Sequence, residues 1–422
     1  MQSNWVVSAV VAISTTMAQA GDWPQILGEN RDGIVASETI AEQWPNDGPP
    51  VVWERAVGTG FSGVAVVDDV AILFHRVAGK ERVEAMEAAT GRVLWTADAP
   101  ATFQPSYTSD NGPRAVPLIH DGHVYVYGAL GTLRCLTLAD GKTVWSRDTF
   151  EDYNSKRTRR GEPPEGFFGI GSTPIVADNK LLVNVGGDEA NAGIVAFDLK
   201  TGKTLWKNTA TRASYSSPTT VTLDGQPRVI FATRFEVLSL DPRNGKVAWQ
   251  FPFGEPGPNV TAANPLIIGN RLFISASYGF GAVFAKVTAN TVEEVWRSDD
   301  LLSSQYTTSV RLPTSEDIHL IGIHGRQDIG RAALRCLDVE AEKVLWEQTE
   351  FGYATLLLIG DKLLALKTDG ELVLAEVTSA GYKELASAQV LSGTTRALPA
   401  IANGKLFIRD TKTLKCLDLS GR

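Results

Sequence analysis

The stretch that decides the fold is Ala196-Phe197-Asp198-Leu199-Lys200-Thr201-Gly202-Lys203-Thr204-Leu205-Trp206. Alternation across its first four residues sends successive side chains to opposite faces, the period of a strand. Gly202 supplies the positive φ of a tight turn, and Asp198 is placed to hydrogen-bond nearby backbone amides. Thr204-Leu205-Trp206 then returns as the second arm of a hairpin. The phrase recurs as AMEAATGRVLW at 85–95, CLTLADGKTVW at 135–145 and SLDPRNGKVAW at 239–249. Looser copies stand at 284–296, 336–346 and 375–385, and a half-copy, CLDLSGR, occupies 416–422.

Upstream of most copies lie two further strands, for example 172–176 with 180–185. Four short antiparallel strands per unit, repeated around a ring, make a propeller blade. The terminal tryptophans fall at 95, 145, 206, 249, 296 and 346, and only the interval from 145 to 206 exceeds the usual 40–50 residues of such repeats. The last copy lacks an outer strand, while Val51-Val52-Trp53 is an outer strand with no hairpin before it. Pairing the two closes the ring and removes an exposed edge. The count predicts an all-β, eight-bladed β-propeller over residues 51–422, with Leu385 in the tryptophan's place in the seventh blade. Seven blades would follow if 375–385 were not a blade, but three clean strands at 355–359, 362–367 and 371–377 favour eight.

Of 422 residues, 43% are hydrophobic and 21% charged, enough for a real core. A net charge of −8 argues against a nucleic-acid binder, which needs a basic face. Residues 1–20 carry no charged side chain, contain an apolar run from Trp5 to Ile13 and end in Ala18-Gln19-Ala20. This reads as a signal peptide cleaved after Ala20, which places the mature chain in the periplasm or outside the cell. Residues 21–50 read as an N-terminal extension packing on the propeller. No later segment is apolar for long enough to span a bilayer, and no cysteine near the cleavage site could take a lipid anchor. A monomer is expected.

The repeats resemble those of the pyrroloquinoline-quinone-type (PQQ-like) propeller family, over nearly all of 51–422. Trp23-Pro24-Gln25, Asn30-Arg31-Asp32-Gly33 and the stretch at 112–136 resemble an exported bacterial branch of it. The resemblance implies the propeller firmly but leaves function open, because the family includes quinoprotein alcohol dehydrogenases and a non-catalytic subunit of the outer-membrane β-barrel assembly machinery. A quinoprotein would need PQQ beside a calcium or lanthanide ion held by carboxylate and amide oxygens, an Asp base and, in many members, a disulfide of adjacent cysteines. The three cysteines, Cys135, Cys336 and Cys416, are not adjacent. They share one repeat position in blades two, six and eight, too far apart to bridge, and read as buried thiols.

No catalytic residue, metal ligand or resident cofactor is assigned from sequence. Candidate ligand-binding residues come from the openings of the inner strands, which should ring one mouth of the channel: Arg114, Ser172, Tyr215, Ser216, Asn264, Tyr306, Tyr353 and Arg396. Such a ring suits an anionic or sugar-like ligand. The long interval inserts 152–165, whose Lys156, Arg157, Arg159 and Arg160 form a candidate partner loop over that mouth. The expectation is a non-catalytic scaffold presenting loops and mouth to an envelope protein or a carbohydrate-like ligand. The alternative is a PQQ- and calcium-dependent dehydrogenase of the alcohol dehydrogenase type.

Overall fold

A computed structural model describes residues 21–421 apart from 36–37, 39, 46, 106, 156–166, 258 and 314–316. Residues 1–20, the expected signal peptide, and the four basic residues of the candidate partner loop lie outside the described residues. Eight sheets follow one another around a ring, each with four antiparallel strands ordered from first to fourth, and the seventh gains a short fifth strand, Ile34–Val35, in parallel. Blades 1 to 7 run over 64–100, 118–148, 175–208, 219–252, 266–298, 310–348 and 354–389. Blade 8 takes three strands from 400–418 and its fourth, Val51–Ala56, from the other end of the chain. The ring therefore closes as the two incomplete ends require. No helix among the described residues is long and apolar enough to cross a membrane.

The repeat phrase acquires a physical meaning at each blade junction. In blade 3, Asp198 accepts from the amides of Lys200 and Thr201, and Gly202, at φ +65°, donates its amide to the Asp198 carbonyl. Register then slips by one residue, pairing Phe197 with Thr204 but Ala196 with Trp206. This bulge ejects Leu205, which is exposed, and turns the indole toward the next blade. Trp206 Nε1 donates to the carbonyl of Pro242 at 3.0 Å. Equivalent bonds run from Trp53, Trp95, Trp145, Trp249, Trp296 and Trp346 to blades 1, 2, 3, 5, 6 and 7, at 2.7–3.1 Å.

The turn glycine completes the joint. A Cβ on Gly202 would lie 2.6 Å from the Trp145 indole, and one on Gly91 would lie 2.7 Å from that of Trp53. Glycine is thus needed twice, for its φ and for the ring lying on it.

The junction of blades 7 and 8 departs from the pattern. The bulge there falls on Leu385, so Ala386, not Leu385, holds the tryptophan's register opposite Leu374. The N-terminal extension packs Ile40 and Trp44 on the same apolar cluster against which Leu385 and Ala386 pack. The three thiols are buried, and each faces a repeat tryptophan across the strand pair: Cys135 with Trp145, Cys336 with Trp346 and Cys416 with Trp53. Burial pushes each thiol up to about 12.

Residues 21–35 cross the channel and seal one end. Trp23 exchanges backbone bonds with Val66 of blade 1, and Pro24 accepts from Ile119 of blade 2. Ile34–Val35 then run parallel to Leu358–Ile359 of blade 7. Between these anchors Arg31, 2% exposed, donates to the carbonyls of Thr173 and Pro174 in blade 3 and Pro218 in blade 4. A buried guanidinium is tolerated when its donors are satisfied, and here backbone carbonyls satisfy them.

Candidate functional site

At the end opposite the plug lies a cavity of about 380 Å³. Its wall is built from two kinds of segment. The loops that open the first strands contribute Phe61, Arg114, Tyr215, Tyr306 and Arg396, while the hairpins between second and third strands contribute Tyr278 from blade 5 and Gln327 and Asp328 from blade 6. Phe168, which follows the 152–165 insertion in sequence, also lines it. Ile26 of the plug reaches the same cavity from below. The mouth is therefore a blind cup.

Four of the sequence candidates, Arg114, Tyr215, Tyr306 and Arg396, line this cup. The other four sit behind it. Asn264 accepts through Oδ1 from the Ser217 backbone amide at 2.9 Å, and its backbone N–H donates to Thr308 Oγ1 at 2.9 Å. Ser216 Oγ donates to the Ala263 carbonyl at 2.8 Å, and Ser172 is buried. Thr173 extends the same belt, accepting from the Val116 amide and donating its own amide to Ser217 Oγ, both at 2.9 Å. The small polar residues opening the inner strands thus stitch neighbouring blades together. Tyr353, 3% exposed, accepts from the amides of Tyr306 and Thr307, and its ring lies 4.3 Å from that of Tyr306. It holds the Tyr306 loop from behind.

Charge of both signs lines the cup. Two guanidinium groups approach the Phe61 ring, Arg114 at 5.6 Å and Arg396 at 5.4 Å from its centroid. Arg114 donates to the carbonyls of Gly112 and Asp110, with the Asp110 carboxylate 3.9 Å away. That carboxylate already accepts from the amides of Gly60 and Gly112. Burial pulls the Arg114 guanidinium below its usual range, without neutralising it. Arg396 donates through Nε to Gln327 Oε1 at 2.9 Å, the oxygen that also accepts from the Tyr306 hydroxyl.

Next to Gln327, Asp328 pairs with Arg326, which holds its carboxyl below the usual range, while Gln305 Nε2 donates to Tyr278 Oη at 2.8 Å and approaches Asp328 at 3.3 Å. Burial pushes the phenols of Tyr278 and Tyr306 up and that of Tyr215 to about 12, so all three are neutral at physiological pH.

Sequence reasoning missed Tyr278, Gln305, Gln327, Asp328 and Ile26. The hairpin residues could have been reached by asking which turns share the mouth with the inner-strand openings, since the second strand runs back toward it. Ile26 carries no comparable signal.

A sequence model for the family described as outer membrane protein assembly factor BamB matches residues 41–165 and 79–348. The chain belongs to the PQQ-like β-propeller repeat family. Among curated members, quinohemoprotein alcohol dehydrogenase ADH-IIG of Pseudomonas putida is 30% identical over 34% of this chain and 20% of its own length. BamB of Burkholderia pseudomallei is 29% identical over 49% of this chain and 44% of its own length. The matches therefore span less than half of either relative.

Solved structures of the same fold include BamB from Moraxella catarrhalis, with a TM-score of 0.59, 15% identity and coverage of 88% of this chain and 98% of that one. Quinohemoprotein alcohol dehydrogenase from Comamonas testosteroni gives a TM-score of 0.63 and 15% identity over 96% of this chain and 82% of that one. At these identities the likeness concerns the fold.

The quinoprotein branch implies PQQ with a calcium ion. The cup offers guanidinium groups and aromatic faces, which suit an acidic planar molecule, but its oxygen donors do not converge on a cation. Asp328 is tied to Arg326, and Asp110 to two backbone amides. Among the described residues, Asp317, His319 and Asp338 gather potential ligand atoms within 4.8 Å of one another. They lie in blade 6 at the end away from the mouth, beside the hairpin that joins its first and second strands. The donor set does not fit a calcium-held quinone in the cup.

Proposed function

We propose that this PQQ-like propeller is an exported, non-catalytic scaffold that docks a partner on its mouth face, the partner being an envelope protein or a carbohydrate-like ligand. The observation that carries the reading is the blind cup itself: lined by two guanidinium groups, walled by neutral tyrosines, and floored by Ile26. A site of this shape recognises and holds a projecting group.

The rim adds apolar surface where a partner would land. Tyr107 at the cup and Ile329 in the Asp328 hairpin are 58% and 56% exposed. The other large exposed apolar residues are on outer strands, most of them at the bulge before a repeat tryptophan. The candidate loop residues Lys156, Arg157, Arg159 and Arg160 belong to the insertion that ends beside Phe168, and would add positive charge to the same face.

Photocrosslinking residues placed at Tyr107 and at Ile329, with Leu205 as an outer-rim control, test the reading in intact cells. Adducts from the two mouth positions and none from Leu205 are expected. No adduct at the mouth, or equal adducts at all three, overturns it.

The second reading, a PQQ-dependent alcohol dehydrogenase-like enzyme, draws on the two guanidinium groups and on the dehydrogenase relatives. The committed carboxylates weigh against it. Dye reduction by alcohols after addition of PQQ and calcium would establish it in place of the scaffold.

A further inference from the structure

We infer that the cup is a receptor for the end unit of an acidic saccharide, a sugar carrying a single carboxylate; this rests on the mouth being the docking face. The argument begins with charge. Arg396 makes no ion pair within the described residues, and its Nε bond goes to a neutral amide. Arg114 has its counter-charge in the Asp110 carboxylate, 3.9 Å away. The Arg396 guanidinium is therefore the unbalanced positive charge of the cup, and a ligand carboxylate would satisfy it through charge-assisted hydrogen bonds.

The groups beyond Gln327 demand something different. Asp328 is held ionised by Arg326, and its neighbours are the Gln305 amide and the Tyr278 hydroxyl. A second anionic group there would meet a carboxylate. Hydroxyl groups, which donate to carboxylate and amide oxygens, are the complementary partners. The cup therefore selects a ligand that carries one anionic group among hydroxyl groups. That excludes dense polyanions as good ligands and describes a uronic acid.

The wall also offers the rings of Phe61, Phe168, Tyr278 and Tyr306, whose apolar faces suit the apolar face of a pyranose ring. The volume of about 380 Å³ lies at the small end for ligand pockets. Because Ile26 closes the floor, a polymer cannot thread through. Only a chain end can enter.

The test titrates the chain, expressed from its full sequence, by calorimetry with galacturonate and trigalacturonate. Comparison ligands are the methyl ester of galacturonate, glucose, galacturonate 1-phosphate and N-acetylphenylalanine. Saturable binding of the free acid at least about tenfold tighter than its ester is expected, with glucose weaker still. Arg396→Gln should weaken acid binding about 10- to 100-fold without lowering the melting temperature of the unliganded protein, and Arg396→Lys should recover part of the loss. Asp328→Asn should raise affinity for the 1-phosphate relative to the monoanion, a change that a merely structural role would not produce.

Equal binding of acid and ester, or no binding of any uronate, overturns the proposal. Tighter binding of N-acetylphenylalanine than of every uronate also overturns it and assigns the cup to a peptide carboxylate. If uronates fail while crosslinking at Tyr107 and Ile329 persists, the saccharide falls and the docking face stands; if both fail, both readings fall.

Discussion

Acidification should weaken the joint between blades 8 and 1 through a single imidazole. His75, 3% exposed on the second strand of blade 1, accepts through Nδ1 from the Gly58 amide at 3.0 Å, which requires that nitrogen to be unprotonated. Arg409 of blade 8 donates to the Gly58 carbonyl at 2.7 Å, so the ring nitrogen and the guanidinium hold the same short segment. Burial first, then the charges of Arg409, Arg82 and Arg55, pull the imidazole down to about 3, with Asp98 opposing them.

An unfolded histidine titrates near 6.5, so between pH 6.5 and 3 the unfolded chain binds the extra proton. Stability from this group is full above pH 6.5 and is lost as pH falls. The loss amounts to about 2 kcal/mol at pH 5 and is bounded by about 5 kcal/mol at pH 3. Other groups oppose it, because burial raises the carboxyl groups of Glu81 and Glu84, which favours the fold in acid. The measurement is therefore a difference. Urea midpoints, followed by tryptophan fluorescence at pH 7.5 and pH 5, are compared for the native chain and His75→Gln. The native protein should lose about 2 kcal/mol more than the variant over this interval. Equal losses within about 0.5 kcal/mol would refute the assignment of a buried neutral imidazole.

Three further outcomes follow from the joints and the plug. Gly202→Ala, which meets both a left-handed φ and the Trp145 indole, should cost about 2–3 kcal/mol, whereas Gly225→Ala, with φ +72° and nothing within 4 Å, should cost only about 1; urea midpoints compare them. Arg31→Met removes the donor from three buried carbonyls and should cost about 3–5 kcal/mol, read as a fall in the same midpoint. The three thiols, buried and pushed up to about 12, should stay inert to an aromatic disulfide reagent at pH 8 and release three equivalents only after unfolding in urea.

The fold was legible because the repeat is local chemistry written eight times. A turn glycine, a bulged apolar residue and an indole lie within a few residues of one another in most blades, and each makes sense only as part of a joint between neighbours. Where the phrase decays, the alignment slipped by one: Leu385 fills the tryptophan's place by eye, but the bulge puts Ala386 there. A bulge is a register event, and register depends on the partner strand as well as the sequence. The site was half legible. Inner-strand openings could be located from the repeat, but a small polar residue there serves equally to line a channel or to bridge two blades. Ser216 and Asn264 bridge, while Arg114 and Arg396 line. Gln327 and Asp328 come from a hairpin that the repeat leaves free to vary.

The plug gives the two ends of the ring their different roles. A bare propeller has two mouths and a channel between them. Here residues 21–35 occupy one mouth, pinned by Arg31 to two blades and paired by strand to a third, while Val51–Ala56 complete blade 8. One stretch at the start of the described chain thus closes the ring, seals the channel and, through Ile26, floors the cup. Blade 8 cannot be complete without it, and neither can the pocket. Because the segment is fixed to blades 1, 2, 3, 4 and 7 on one side and forms the cup's floor on the other, loosening the ring should also loosen the floor. Ligand affinity in the cup and resistance of the ring to unfolding are then linked quantities, and a ligand seated against Ile26 should raise the stability of the joints that hold the plug.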